Sequence, residues 1–254
     1  MTEEKTKSEA AVKLAKFSRY SIAGRLFPGI AHNINTPLQI ITMQVELFRV
    51  QTEKALDAGK VATADEYRKL MDKGCDRLEK ISRAVKDITT ILNNASLRYV
   101  REDEVERTVF PRAMLDEELR FCRSDMFFKH KLEISRSTSG EGFCLQTCPV
   151  FVRDMFCSIL LACTEQLRYS REVPRLGIVE TYDPGSCNIV FEISDAFDPE
   201  LHETSSLDSV QLDMDVISDI SWQRFMLAMA RMNAGLVGGA ITLEKSAIVF
   251  SCSA

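Results

Sequence analysis

One imidazole stands in a run whose side chains can do chemistry together: Phe27-Pro28-Gly29-Ile30-Ala31-His32-Asn33-Ile34-Asn35-Thr36-Pro37-Leu38. A neutral imidazole nitrogen is a competent nucleophile toward an activated phosphoryl group and can pass that group on. Thr36, one helical turn later, offers a hydroxyl on the same face. Asn33 can hydrogen-bond and orient a ring but cannot take a proton as a general base. Pro37 lacks an N–H and its ring crowds the carbonyl of Asn33, which predicts a kink one turn past His32.

The elements that must hold these residues follow from hydrophobic spacing. Phe27, Ile30, Ile34, Leu38, Ile41, Val45 and Phe48 recur at intervals of three and four, the seam of an amphipathic helix. At about 100° per residue His32 lies about 200° from Ile30 and about 160° from Ile34, so it belongs to the wet face. A lone surface histidine is ordinarily just solvated; the setting distinguishes this one. The pattern predicts a polar, frayed start over residues 1–10 and helix from Ala11 to Ala58, interrupted near Pro28-Gly29 and Pro37. Ala58-Gly59-Lys60 is the expected stop. A second helix is predicted over Thr63–Leu97, with Leu78, Ile81, Val85, Ile88 and Leu92 as its seam. Two long helices with a short turn make an antiparallel hairpin, and one hairpin cannot bury both seams. The pattern therefore predicts a homodimer in which two hairpins form a four-helix bundle.

The run around the histidine resembles the phosphoacceptor box of sensor histidine kinases, His-(Glu/Asp)-(Leu/Ile)-x-(Asn/Thr)-Pro-Leu. His32, Ile34, Thr36, Pro37 and Leu38 match it, and Gly29-Ile30-Ala31 before the histidine is similar too. Asn33 departs from it, standing where the family has a carboxylate. The resemblance implies that residues 11–98 form the dimerisation and phosphoacceptor hairpin, with His32, Asn33 and Thr36 as the site. It also implies that Thr36 helps place a water for dephosphorylating a partner.

After the charged link Leu97–Thr108 the pattern changes. Pro111–Phe128 reads as a helix with Leu115, Leu119, Cys122 and Met126 on one side. Lys131–Arg136 alternates like a strand, Ser137–Gly142 reads as a turn and Val150–Leu167 as a strongly apolar helix. Leu176–Tyr182, Asn188–Ser194 and Ala240–Ser251 read as strands, and Trp222–Ala234 as a helix ended by Gly235. The expected fold class is α+β: the helical hairpin, then over residues 108–254 an α/β sandwich with helices on one face of a sheet. That element order resembles the ATP-binding domain of histidine kinases.

The residues such a domain needs are missing. Magnesium requires oxygen ligands, adenine a carboxylate acceptor, and phosphates backbone amides freed by glycines at a helix start. Where the family's Asn-Leu-x-x-Asn-Ala falls, this chain has Ser158 and Ala162-Cys163, and Ala162 cannot ligate a metal. Asp195 is followed by Ala196-Phe197-Asp198-Pro199 rather than two glycines, and Phe197 would crowd a base. Glu200–Ser221 contains no glycine. Gly235, Gly238 and Gly239 read as a helix stop and turn. The expectation is a degenerate domain that binds no cofactor.

Composition excludes other classes. Of 254 residues 45% are hydrophobic and 27% charged, which suits a globular chain. No apolar run reaches the roughly 20 residues that span a bilayer, and the polar start Met1-Thr-Glu-Glu-Lys is not a signal peptide, so a cytoplasmic protein without a membrane partner is expected. Net charge is −5. Up to Val100, 17 basic and 12 acidic residues leave +5; the remainder, with 15 and 25, carries −10. A mildly basic helical half suits an acidic protein and is too interspersed for nucleic acid. Eight cysteines without a Cys-x-x-Cys pair read as free thiols in a reducing compartment. Cys144 and Cys148 lack a matching histidine pattern for a metal. His130 and His202 read as surface residues, and Trp222 as a core anchor.

Three functions fit these residues. The first is a histidine phosphotransferase passing phosphoryl groups through His32 to or from response-regulator receiver domains, some of them in hybrid histidine kinases, with magnesium supplied by the receiver. Docking is expected around Arg25, Gly29 and Thr36. The second is a non-catalytic pseudokinase adaptor that binds a receiver or a kinase. The third is an active ATP-dependent sensor histidine kinase with a divergent nucleotide site.

Overall fold

A computed structural model describes residues 3–57, 63–96, 105–197, 201 and 221–253. The chain is α+β. It divides into two compact units, Phe27–Leu97 and Met1–Leu26 together with Arg98–Ala254.

Two helices, α1 (Glu3–Asp57) from Phe27 onward and α2 (Ala64–Ser96), account for the first unit. The predicted interruptions are absent: α1 contains both Pro28 and Pro37. Each proline forfeits one hydrogen bond, while the turns on either side keep theirs and propagation carries the helix through. The start predicted to fray is helical from Glu3. The predicted stop at Ala58-Gly59-Lys60 lies outside the described residues. α2 opens on a capping box: Thr63 N donates to Glu66 Oε2 at 2.8 Å, and Glu66 N donates back to Thr63 Oγ1 at 3.3 Å.

The contact between the helices is narrower than the predicted seams. Pro37 and Gln44 of α1 are buried, as are Gly74 and Ala84 of α2. A Cβ added to Gly74 would come within 3.3 Å of the Phe48 ring. Arg77 reaches across, its Nε donating to Gln51 Oε1 at 3.2 Å and its Nη1 to Gln44 Oε1 at 3.4 Å. Ile81 and Ile88 are half-buried beside this strip, but Leu78, Val85 and Leu92 remain 65%, 48% and 49% exposed. On α1, Ile30, Ile34 and Ile41 are half-buried, and Leu38, Val45 and Phe48 are exposed. One partner helix covers one stripe of its neighbour, and both seams are wider than that.

The second unit holds a five-stranded sheet. Its strands are β2 (Glu133–Gly140), β4 (Arg175–Asp183), β5 (Ser186–Ile193), β6 (Gly239–Leu243) and β7 (Ala247–Ser253), in the order β2-β4-β5-β7-β6. β2 and β4 run parallel and the other pairs antiparallel. A separate ladder joins β1 (Arg107–Val109) to β3 (Leu145–Thr147). The helices are α3 (Pro111–Cys122), α4 (Met126–His130), α5 (Pro149–Arg168) and α6 (Trp222–Leu236). Strict alternation in β5 buries Cys187, Ile189, Phe191 and Ile193 on one face. On that face lies α5, with Phe156 packed 6.3 Å from the Phe191 ring and 6.0 Å from Phe250. Val152–Thr164 is buried without a break, as an all-round apolar helix must be.

Four expectations change here. The helix predicted over Pro111–Phe128 splits, because Asp125 Oδ1 accepts from Phe127 N and Phe128 N and starts α4 afresh. The turn predicted over Ser137–Gly142 is mostly strand, since β2 pairs with β4 as far as Gly140 opposite Tyr182. Gly140 has φ +74°, and a Cβ there would fall 1.7 Å from the Tyr182 carbonyl oxygen. The strand predicted over Ala240–Ser251 is a hairpin, closed by Glu244 N donating to Ala247 O at 2.8 Å. The α6 helix continues past Gly235 to Leu236 and turns at Gly238, with φ +75°.

Candidate functional site

His32 is carried by α1 in the helical unit. The buried stripe of that helix is marked by Pro37 and Gln44, flanked by half-buried Ile30, Asn33 and Ile41. His32 lies about 140° around the helix from Pro37 and is exposed. The burial of one stripe thus puts the imidazole in water on a rigid rod. Thr36 is exposed one turn on, and its Oγ1 donates to the His32 carbonyl at 3.4 Å. The sequence-derived site residues therefore share a turn: His32 and Thr36 face solvent and Asn33 is half-buried between faces.

A second feature of this face has no counterpart in the sequence reading. Met43, Leu47 and Ile40 are 52%, 42% and 39% exposed, within about 80° of His32 around the helix axis. Met43 and Leu47 line a surface hollow of about 540 Å³ with Leu38, Gln39, Thr42 and Glu46. Its signal was present as apolar residues between the seam positions, but they read as flank rather than face.

Of the expected docking residues, Thr36 alone is exposed. Gly29 is buried in the helical unit. Arg25, in the mixed unit, pairs with Glu165 and places its guanidinium 5.0 Å over the Trp222 ring. Trp222 is half-buried beside Phe225, at 5.9 Å between rings.

In the mixed unit the two α5 positions singled out in the sequence are buried. Ser158 and Ala162 are 0% exposed on α5. Asp154, one turn before Ser158, accepts from Arg19 Nε at 2.7 Å. Asp195 Oδ1 accepts from Ala196 N at 2.8 Å, and Phe197 is packed inward at 2% exposure. His202 and all but Leu201 and Ser221 of the glycine-free stretch lie outside the described residues. His130 is exposed at the end of α4.

Sequence reasoning missed a buried ionic cluster. Glu180 of β4 is 0% exposed and accepts from Arg136, from Thr138 Oγ1 at 3.1 Å and from Tyr182 Oη at 2.5 Å. Arg136 also pairs with Asp116. Hydrogen bonding to Glu180 pushes the Arg136 guanidinium up, and burial, aided by Glu180, pushes the Tyr182 phenol well up. The signal was legible: Glu180 occupies the inward phase of Leu176, Ile178 and Tyr182. Asp116 and Tyr182 border a hollow of about 320 Å³ with Arg112 and Glu141.

The chain is similar to several solved structures. The catalytic domain of the histidine kinase ThkA shares 12% identity at a TM-score of 0.45, over 58% of this chain and 97% of that chain. A bacterial phosphotransferase shares 14% at 0.40, over 91% and 95%. ThkA in complex with the response regulator TrrA shares 18% at 0.41, over 99% and 67%. No family model and no curated protein matches the chain. At these scores the likenesses leave the chemistry to be judged from the residues themselves. Among the described residues no helix is long and apolar enough to cross a membrane.

Proposed function

We propose that the chain is a two-component signalling protein of histidine-kinase type that acts as a histidine phosphotransferase, with His32 as phosphoacceptor. The carrying observation is the contrast between an exposed His32 on a helical rod and a wholly buried Ser158–Ala162 face. The first can enter another protein's active site; the second offers nothing to a nucleotide.

The lone-pair nitrogen of the imidazole attacks the phosphorus of an aspartyl phosphate on a receiver domain. The N–P bond forms as the P–O bond to the aspartyl oxygen breaks, and the carboxylate leaves with that bonding pair. Magnesium on the receiver steadies the charge. The reverse step returns the group to a receiver's carboxylate. Asn33 cannot act as a base, and none is needed for attack by a neutral ring. The exposed Ile40, Met43 and Leu47, two to four turns further along the face that carries His32, supply apolar docking area for the receiver. The protein works in the cytoplasm as a homodimer, its exposed Leu78, Val85 and Leu92 meeting a second hairpin in a four-helix bundle.

The test is a receiver domain carrying labelled phosphate. Wild-type protein acquires acid-labile label within minutes, and His32→Ala acquires none while still binding the receiver. Binding without label would leave the adaptor reading in its place. Label from ATP alone would establish the kinase reading.

A further inference from the structure

The first part of α1 belongs to the mixed unit. Ser18, Ile22 and Leu26, one turn apart, are 1%, 0% and 1% exposed. Phe17 meets Phe225 edge-on, with ring centroids 6.0 Å apart. Arg19 is held by Asp154 and Arg25 by Glu165, and Arg25 also lies over Trp222. Asp154 and Glu165 bracket Ser158 and Ala162, and all four fall within about 80° on α5. The buried hydroxyl of Ser158, between those two carboxylates, has no hydrogen-bond partner among the described residues.

We propose that Phe17–Leu26 is an intramolecular replacement for a bound nucleotide: a helical strap, latched by Arg19–Asp154 and Arg25–Glu165, that occupies the α5–α6 face. This rests on the reading that nucleotide chemistry is lost in this unit. The strap's apolar stripe supplies burial, Arg19 neutralises Asp154, and Arg25 shares Glu165 with Arg168, whose Nε lies 3.5 Å from the same oxygen. Asp154 has a side chain 3% exposed and Glu165 one 16% exposed. A carboxylate as deep as Asp154 without a cation is strongly destabilising. The strap is thereby bound to one place, and the face is stabilised by the chain's own arginines rather than by a ligand.

Trp222 is the chain's one tryptophan and lies under Arg25, so its emission reports the latch. The experiment compares wild type, Glu165→Arg and the charge exchange Glu165→Arg with Arg25→Glu. The single reversal should red-shift Trp222 emission and raise amide exchange in Phe17–Leu26 by about tenfold, with sheet circular dichroism kept. The exchange variant should restore both. Unchanged emission and protection in Glu165→Arg would overturn the latch. Should that variant fail to fold, wild type in rising salt decides. Screening should loosen Phe17–Leu26 before the amides of β4 and β5, and simultaneous loss would make the segment ordinary core. If protection returns only on mixing Arg25→Glu with Glu165→Arg chains, the strap acts between copies and the intramolecular assignment fails. Magnesium-ADP at millimolar concentration should leave emission and exchange of the wild type unchanged. Protection of α5 by it would overturn the underlying reading of nucleotide loss and the replacement role, whatever the charge variants show.

Discussion

Thr36 turns its hydroxyl back along its own helix, donating from Oγ1 to the main-chain carbonyl of His32 at 3.4 Å. The two residues of the candidate site are thus tied through backbone, and the imidazole stays on the exposed surface. Such an exposed bond contributes about 1 kcal/mol at most. Thr36→Val should therefore keep helix content and label uptake by His32 within an order of magnitude. If the hydroxyl positions water for receiver dephosphorylation, release of inorganic phosphate falls while transfer persists. Phosphate partition followed over one time course reads both, and loss of transfer in Thr36→Val would show that the hydroxyl serves the transfer step itself.

The exposed flank of α2 predicts where a dimer breaks. Leu78 and Val85 are seven residues apart and face solvent, whereas Ile81 is half-buried beside α1. Leu78→Glu with Val85→Glu should give a monomer in sedimentation with helical circular dichroism retained, since charge is placed only between copies. Ile81→Asp should also lower the melting temperature of the hairpin. A dimer that survives the double substitution would move the interface elsewhere.

Glu180 makes the mixed unit sensitive to its cation. Arg136→Met leaves a fully buried carboxylate with hydroxyl donors alone and should cost about 3–5 kcal/mol in urea unfolding. Tyr182→Phe removes one hydrogen bond to a charged group and should cost about 1.5–3 kcal/mol. Adding Glu180→Leu to Arg136→Met should recover part of the loss, because the unpaired charge is then gone. An Arg136→Met unfolding midpoint equal to wild type would show that the Arg136–Glu180 pair contributes nothing to stability.

Alkaline pH should weaken the mixed unit. Burial pushes the Cys187 thiol up to about 12, and it also raises Cys163 and Tyr182. The ordinary thiol value is 9.0, so above it the unfolded chain gives up protons that the native state keeps. The contribution is complete below that value and is lost as pH rises toward the folded ones. Urea midpoints should be level from neutral pH to about 9 and then fall. Cys163→Ala should make the fall less steep, apart from its own cavity cost. Midpoints that stay level into the alkaline range would mean the thiols are accessible in the native state.

Local chemistry was legible wherever it depends on neighbours along the chain. The spacing around Ile30, Ile34 and Ile41 placed His32 on the wet face, because a helix converts sequence interval into direction. The apolar run of α5 and the alternation of β4 and β5 were visible for the same reason. Boundaries set by a single side chain were not: Asp125 ended one helix and began another only through its bonds to Phe127 and Phe128. The length of β2 depended on pairing with β4, forty residues away in sequence, which no local propensity records.

The sequence by itself determined the exposed histidine on its helix and the mixed α/β character of the second half. Periodicity and side-chain chemistry suffice for each of these. Tertiary structure alone decided that Arg25 faces Glu165 and Trp222, that Arg136 meets the Glu180 carboxylate, and that Phe17–Leu26 is tied to α5 through Arg19 and Arg25. These depend on charges 140 residues apart, or on neighbouring strands, meeting in partly or fully buried places. Only the folded chain brings such groups close enough for one to offset the burial of the other.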